Sequence, residues 1–483
     1  MRRVIAAAVC LAALLASARA QTYSVTVAGG SMLLKEDGTV LVAPGEYDGI
    51  WCISGEECPA QRRMYAATVR QAVAPEEMEL AVSQCALLDA NGRRVGEETY
   101  DNLVHDWKNG TITCWRTENG LQTCGLLNEA GEEILPCDYL WIVSNQEGGY
   151  LAAPKDTASY DEDGSAQTAR LAYIAPDGAR RDTGILTSAY VYGDYTMQDG
   201  RMPLYFAREQ LCGYVDARGE VAIEPAYERA DAFFEGMAAV RLGDCEGLLR
   251  ADGTWALEPV YQGVVYGQAY ADMPTFCAYD QDSVRILARE TLEECARLTF
   301  VQPETLFATA WSGVGFEIQA DGETIFLDQQ GARLFRMQAA DGYVSAYVQQ
   351  AAQNPQRLVF SQAGDWLEAR DYLTDLNLAR VAGPYLCINY GLWWEDGQGR
   401  YLISAWQTAT RGDPGEEYVT VLEDSFRYGV IDQDGNEVFP LLYNEITYLG
   451  QGRYWVRQGD RYRLVDERGE VYYETYAYFE LMD

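Results

Sequence analysis

Along most of the chain, apolar residues come in pairs and short runs, each interrupted by a polar turn that closes on glycine. This is the punctuation of β-hairpins rather than of amphipathic helices. The clearest stretch is Gly213-Tyr214-Val215-Asp216-Ala217-Arg218-Gly219-Glu220-Val221-Ala222-Ile223-Glu224-Pro225-Ala226-Tyr227. It returns 34 residues later as Gly247-Leu248-Leu249-Arg250-Ala251-Asp252-Gly253-Thr254-Trp255-Ala256-Leu257-Glu258-Pro259-Val260-Tyr261. The same frame begins at Gly125 (Gly131, Pro136, Tyr139) and at Gly429 (Gly435, Pro440, Tyr443). In all four copies the second glycine follows the first by six residues, the tyrosine follows it by fourteen, and position ten is apolar: Leu135, Ile223, Leu257 and Phe439.

Each part of the frame has a mechanical role. The apolar pair after the first glycine makes a short strand. An Asp or Asn side chain starts the turn, and the second glycine takes a positive φ. The next apolar run is the returning strand, which Pro ends because it has no N–H to donate. The tyrosine is expected to lie over the hairpin with its ring buried and its hydroxyl on a backbone partner. A further alternating stretch, Ala230 to Leu242, turns at Glu235-Gly236. Together these give about four short strands per repeat, the size of one propeller blade or one solenoid rung. The expected fold is therefore all-β, a propeller-like ring of short antiparallel units, with a linear β-solenoid as the alternative.

The clear copies occupy 125–145, 213–242, 247–265 and 429–458. Weaker ones begin near Leu33, Leu87, Tyr173 and Leu464. Between about 265 and 425 the frame nearly vanishes, and Leu292 to Leu298 and Asp371 to Leu378 read as short helices. No linker-like composition sets this region apart, so residues 21–483 are expected to form a single repeat array with degenerate copies at 265–425.

The frame resembles the WG repeat of bacterial exported proteins, in which Trp-Gly precedes an apolar pair, a D-x-x-G turn and a Pro-x-Tyr-Asp stretch. Gly213–Tyr227 followed by Phe233-Phe234-Glu235-Gly236-Met237-Ala238-Ala239-Val240 carries the resemblance best, and Tyr428-Gly429-Val430-Ile431-Asp432 comes next. It covers about half the chain. The family's Trp is replaced here by Cys124, Cys212, Glu246 and Tyr428. The resemblance implies β-rich repeats with binding roles in the cell envelope, and it brings no catalytic motif.

The N-terminus changes the compartment. Arg2 and Arg3 precede an apolar run from Val4 to Ala16, and Ala18-Arg19-Ala20 offers small residues where a signal peptidase reads, so residues 1–20 are read as a cleaved signal peptide. Its removal leaves 34 basic against 73 acidic residues. So acidic a surface repels nucleic acid and anionic lipid, and no second apolar stretch is expected to insert in a membrane. Export also permits disulfides, and eleven cysteines remain after Cys10 is lost. Two pairs are expected: Cys114 with Cys124 across a three-residue turn at Glu118-Asn119-Gly120, and Cys52 with Cys58.

Candidate chemistry is sparse. His105 is the one histidine, no G-x-S-x-G elbow occurs, and no C-x-x-C pair suggests zinc. Asp161-Glu162-Asp163-Gly164 and Asp432-Gln433-Asp434-Gly435 hint at calcium but lack the Glu that completes an EF-hand loop. No metal or cofactor is therefore expected. The binding candidate is an aromatic and acidic stretch, Tyr390, Trp393, Trp394, Glu395 and Asp396. In a strand Trp393 and Trp394 face opposite sides, which would leave one free to stack on a sugar beside two carboxylates. The expected role is a non-catalytic envelope or extracellular module that binds a protein or glycan. The alternatives are a carboxylate-based glycan hydrolase and a purely structural spacer.

Overall fold

The computed structural model describes residues 22–27, 30–55, 58–69, 84–118, 120–162, 164–191, 195–311, 315–338, 343–348, 357–362, 370–375, 379–389, 399–411, 418–450 and 452–476. The signal segment read over residues 1–20 lies outside them. The described residues form β-strands and a few single-turn 3₁₀ segments, with no α-helix among them. The chain divides into two compact units, Met1–Val191 with Asp460–Asp483, and Tyr192–Gly459.

In the first unit, β1 (Thr22–Val27), β2 (Gly30–Lys35) and β3 (Val40–Tyr47) form one antiparallel sheet, and β4 (Ile50–Cys52), β5 (Tyr65–Thr68) and β6 (Cys85–Leu88) another. The following strands are β7 (Asn102–Asp106), β8 (Thr111–Glu118), β9 (Leu121–Asn128), β10 (Glu133–Ser144), β11 (Tyr150–Pro154), β12 (Ser159–Tyr160), β13 (Ala166–Ile174) and β14 (Arg180–Ser188). They join in the order β7–β8–β9–β10–β11–β13–β14, with β12 beside β13. The C-terminal hairpin of Arg461–Asp466 and Val471–Tyr476 belongs to this unit, and its Tyr472 backbone lies directly against Gly38.

The second unit opens with β15 (Met202–Phe206), β16 (Leu211–Val215) and β17 (Val221–Tyr227). A four-stranded meander follows, β18 (Arg229–Ala230), β19 (Met237–Leu242), β20 (Cys245–Arg250) and β21 (Trp255–Tyr261), the arrangement of a propeller blade. Similar four-stranded sheets occupy 263–299, 306–338, 343–385 and 387–443, the last interrupted by a hairpin of Thr408–Arg411 and Tyr418–Val421. A solenoid would run its ladders from rung to rung, whereas over residues 229–443 the hydrogen bonding closes within each antiparallel meander. The two expected helices are strands. Glu294–Thr299 pairs with Ser283–Ala288 and turns Ala296 and Leu298 to the core, and Asp371–Thr374 pairs on both sides. Sheet pairing, on one side for the first and on both for the second, overrides the weak helical spacing of these segments.

The sequence repeat and the sheet are offset by half. In the copies at 213, 247 and 429 the apolar hairpin is the last strand pair of one sheet, and the residues after it, Phe233 to Val240 in the first of these, supply the first pair of the next. Cys212, Tyr214, Ile223 and Tyr227 from β16 and β17 share a core with Ala230, Phe233, Ala238, Val240 and Leu249 of the following sheet. The Tyr214 hydroxyl donates to the Asp231 carbonyl at 2.9 Å, tying the two sheets where they meet. The copies at 213, 247 and 429 thus weld consecutive sheets, whereas the copy at 125 lies within one sheet, its returning strand β10 pairing on to β11.

Both glycines of the frame are needed, for different reasons. A Cβ at Gly125, Gly213, Gly247 or Gly429 would lie 2.5–2.9 Å from the carbonyl oxygen of the position-ten residue on the returning strand. That strand bulges at this point, so two or more of its residues oppose one glycine. The second glycine, at 131, 219, 253 and 435, has a φ of 74–82°. The side chain that opens the turn accepts two backbone N–H groups in three copies: Asn128, Asp216 and Asp432. Arg250 holds that place in the fourth copy, where Asp252 takes the Thr254 N–H instead. Tyr139, Tyr227 and Tyr261 bury their rings as expected, but the Tyr261 hydroxyl meets the Arg285 guanidinium at 3.3 Å rather than a backbone group.

These two roles separate by mutation. Gly253→Ala, whose Cβ would make only an ordinary contact with Ile223 at 3.9 Å and which has mainly a positive φ to overcome, is expected to cost about 1 kcal/mol. Gly247→Ala drives a methyl into backbone atoms of Leu257 and Pro259 and should cost several times more, on the order of 3 kcal/mol. Urea unfolding of the two variants measures the difference, and equal losses would refute the close-approach role.

Candidate functional site

The residues at the family's Trp position share one place in the register. Each pairs with the frame tyrosine: Cys124 with Tyr139, Cys212 with Tyr227, Glu246 with Tyr261, Tyr428 with Tyr443. Asp371 stands opposite Tyr385 in the same way, a copy that the sequence hid. The buried Glu246 carboxylate accepts the Val264 N–H of the next sheet at 3.0 Å and meets Arg229 at 3.2 Å. Asp371 accepts the Ile388 N–H at 2.7 Å. These acids therefore bridge to the first strand of the following sheet and are spent on structure. Asp432 is likewise committed to its own turn, its second oxygen taking the Asn436 amide at 2.9 Å.

The aromatic candidates Tyr390, Trp393, Trp394, Glu395 and Asp396 lie outside the described residues, as does Asp163 of the first acidic run. The strands around the aromatic stretch, Arg380–Tyr385, Cys387–Asn389 and Arg400–Ala405, are described, and the last two pair.

The cysteine pairings differ from expectation. Glu118 pairs directly with Leu121, so the β8–β9 turn has two residues and not three, with Gly120 at φ 81°. The register then places Cys114 opposite Gly125 and Cys124 opposite Trp115. Neighbouring residues of a strand point to opposite faces, so Cys114 and Cys124 enter different cores. Burial pushes the Cys124 thiol up to about 12. Cys52 is exposed with its thiol toward the Ser54 carbonyl, and the buried Cys58 turns to the Pro59 carbonyl.

His105 lies on β7 with its side chain fully buried, at the centre of a chain of polar groups that spacing did not reveal. Its Nδ1 is 2.7 Å from Ser54 Oγ, and its Nε2 is 3.0 Å from Glu129 Oε1, which also accepts from Arg62 at 2.7 Å. Ser54 Oγ accepts the Met64 N–H at 2.9 Å as well. The partners lie 51 and 24 residues from the histidine, so the sequence carried no local signal for them. Burial lowers the His105 pKa, against the opposing pull of Glu129. Burial also acts to raise the Glu129 carboxyl, but the hydrogen bonds from Arg62 and His105 outweigh it and hold it low. A neutral imidazole that donates from Nε2 to Glu129 and accepts at Nδ1 from Ser54 satisfies every distance. The order serine–imidazole–carboxylate is that of a nucleophile relay. The covered ring and the doubly engaged Ser54 hydroxyl suit instead a strut that pins the segment 53–62 to β7 and the β9 turn.

A polar cleft of about 280 Å³ opens nearby in the first unit. It is lined by Gln84 ahead of β6, Glu98, Thr99 and Asp101 ahead of β7, and Arg116, Thr117 and Glu118 on β8. Arg116 lies 4.8 Å over the Tyr100 ring and pairs with Glu98 at 2.7 Å. Thr99 donates to Gln84 at 2.6 Å, and Asp101 Oδ2 is covered yet has no hydrogen-bond partner among the described residues. Three carboxyl groups against one guanidinium make the cleft an acceptor-rich pocket for hydroxyl or ammonium groups. No group of three or more potential metal ligands occurs among the described residues. No helix among them is long and apolar enough to cross a membrane.

Replacing His105 by Gln should reveal the strut through pH. The histidine's folded pKa lies below the unfolded value near 6.5, so the unfolded chain takes up the proton first. This contribution is complete above that value and is lost as pH falls through it toward the folded pKa. His105→Gln should lower the thermal midpoint at pH 8 by an amount equivalent to about 1–3 kcal/mol. The gap to wild type should narrow between pH 6.5 and 5, and a constant gap would contradict the assignment.

The WG containing repeat family matches residues 213–244 and 428–462. No curated protein sequence matches the chain. Among solved structures, the chain is similar to a eukaryotic initiation factor, with a TM-score of 0.41 at 8% identity over 81% of this chain and 93% of that one. It is also similar to apo AztD from Citrobacter koseri, with a TM-score of 0.27 at 12% identity over 68% and 90%. Hsv2 of Kluyveromyces lactis gives a TM-score of 0.28 at 7% identity over 58% and 96%. Both segments matched by the family begin on the hairpin strand of a sheet and run into the following sheet, and at both the chain is built of WG repeats.

Proposed function

We propose that the protein is a non-catalytic binding or scaffolding module that works outside the cytoplasm, on a protein or glycan of the cell envelope. One observation carries the reading: the way the repeats use their polar groups. The turn acids, Glu246, Asp371 and the lone imidazole are all consumed by backbone or side-chain partners within the fold. Among the described residues, the acceptor-rich cleft at Glu98, Asp101 and Glu118 and the acidic surface around it can meet a ligand. The signal segment and the net charge of −36 support export and argue against nucleic acid.

The cleft offers hydrogen-bond acceptors to a polyhydroxylated or cationic ligand, and the charge predicts salt-sensitive capture of basic partners. A second reading, glycan hydrolysis by two carboxyl groups, draws on the three acids in the same cleft.

The mature chain should bind isolated cell-wall glycan saturably and release no sugar. The double variant Glu98→Gln, Asp101→Asn should weaken that binding about tenfold, roughly 1.4 kcal/mol. Pull-down against glycan with parallel assay of reducing ends measures both. Turnover that the double variant abolishes would replace the binding reading with the hydrolase, and no saturable binding would leave a structural spacer.

A further inference from the structure

Cys114 on β8 and Cys137 on β10 belong to strands that are not neighbours, since β9 runs between them. Strands two apart in a regular sheet are separated by about 9.6 Å, too far for thiol contact. Here the two sulfurs stand 3.6 Å apart. Two features of the repeat bring them together. The residue between them on β9 is Gly125, paired with Cys114, which projects no side chain. On the other side β10 bulges between Leu135 and Tyr139, so that the Cys137 nitrogen would lie 2.8 Å from a Cβ at Gly125. The two thiols thus meet over a glycine that the frame already requires. Both pack against one core, with Ile53, Met64, Leu103 and Ile112.

We infer that Cys114 and Cys137 are a disulfide-forming pair that straps β8 to β10 across Gly125. The inference rests on local geometry and stands whether or not the binding reading is right. Closing from 3.6 Å to the bond length of about 2.05 Å takes side-chain rotation and small strand shifts. Cys137 is the half-buried member and the natural entry point, whereas Cys114 is buried. The Cys114 S–H leans toward Cys137 and, with burial, raises the Cys114 thiol. The same hydrogen bond and the nearby Arg116 lower that of Cys137. With a glutathione disulfide as oxidant, the Cys137 thiolate attacks one sulfur and expels a first glutathione thiolate. Cys114 sulfur then attacks Cys137 sulfur in the mixed disulfide and expels the second. One protein S–S bond forms, one glutathione S–S bond breaks, and the two thiol protons end on the two released glutathiones. The strap would fasten the strand that carries Arg116, Thr117 and Glu118, one wall of the cleft.

The test treats the folded, reduced full chain with oxidised glutathione, blocks remaining thiols, and maps linkages by proteolysis and mass spectrometry without reduction. The expected result is a cross-linked peptide pair joining the segments of Cys114 and Cys137 with loss of two hydrogens. A thermal midpoint that rises on oxidation and returns with dithiothreitol should accompany it. Cys137→Ser should lose both signals. Glutathione adducts at the exposed Cys52 and Cys295 show that the oxidant acted. Such adducts with Cys114 and Cys137 both still free, or a linkage of Cys114 to Cys124, would overturn the inference. The mapping uses wild-type protein, so the result does not depend on the variant folding.

Discussion

In each copy of the frame, the returning strand passes so close to the first glycine that its position-ten carbonyl occupies the space of a Cβ. This approach bends the strand into a bulge, and the bulge resets the register so that the frame tyrosine lands opposite the residue before the glycine. From that register follow the buried tyrosine ring, the apolar side chain at position ten and the place where the next sheet begins. A methyl group there would displace backbone rather than a flexible side chain, so the whole unit depends on one absent atom.

The half-unit offset makes neighbours of consecutive sheets. A hairpin closes one sheet and its tail opens the next, so the apolar face that one sheet cannot cover is covered by its successor. The residue at the Trp position lies at this junction. A large aromatic there would fill the gap by packing. In this chain Glu246 and Asp371 fill it with a carboxylate that takes a backbone N–H of the first strand of the following sheet, and Cys212 fills it with a small buried thiol. Buried carboxylates persist because each is hydrogen-bonded, and Glu246 also has a cation. The acidity of the sequence thus has two destinations, a solvated surface and a set of internal links.

His105 shows how burial decides the use of a reactive group. Its partners form an order known from nucleophilic catalysis, yet the imidazole is enclosed and Ser54 Oγ is held by a backbone N–H as well as by the ring. The same contacts that would polarise a hydroxyl here immobilise a loop. The open cleft at Asp101 sits apart from this chain, on the ends of strands whose register the repeats control.

The hairpins, their turns, the strand-ending prolines and the all-β class were legible from the sequence, because each follows from interactions within about fifteen residues. Gly219 needs a positive φ, Asp216 caps its own turn, and Ile223 keeps the frame's apolar tenth position whatever the rest of the chain does. Residues 292–298 and 371–374 misled because their local spacing is weak and sheet pairing, on one side for the first and on both for the second, determines their conformation. The pairing of Cys114 hung on one residue of turn length, and a slip of one residue moves a side chain to the other face. Ser54, Glu129 and Cys137 came to their partners only through tertiary packing and the register of non-adjacent strands, over separations at which sequence carries no periodic signal. Local chemistry, then, determined the units, and tertiary structure alone decided which polar groups meet, since those contacts depend on register and on the stacking of one sheet against the next.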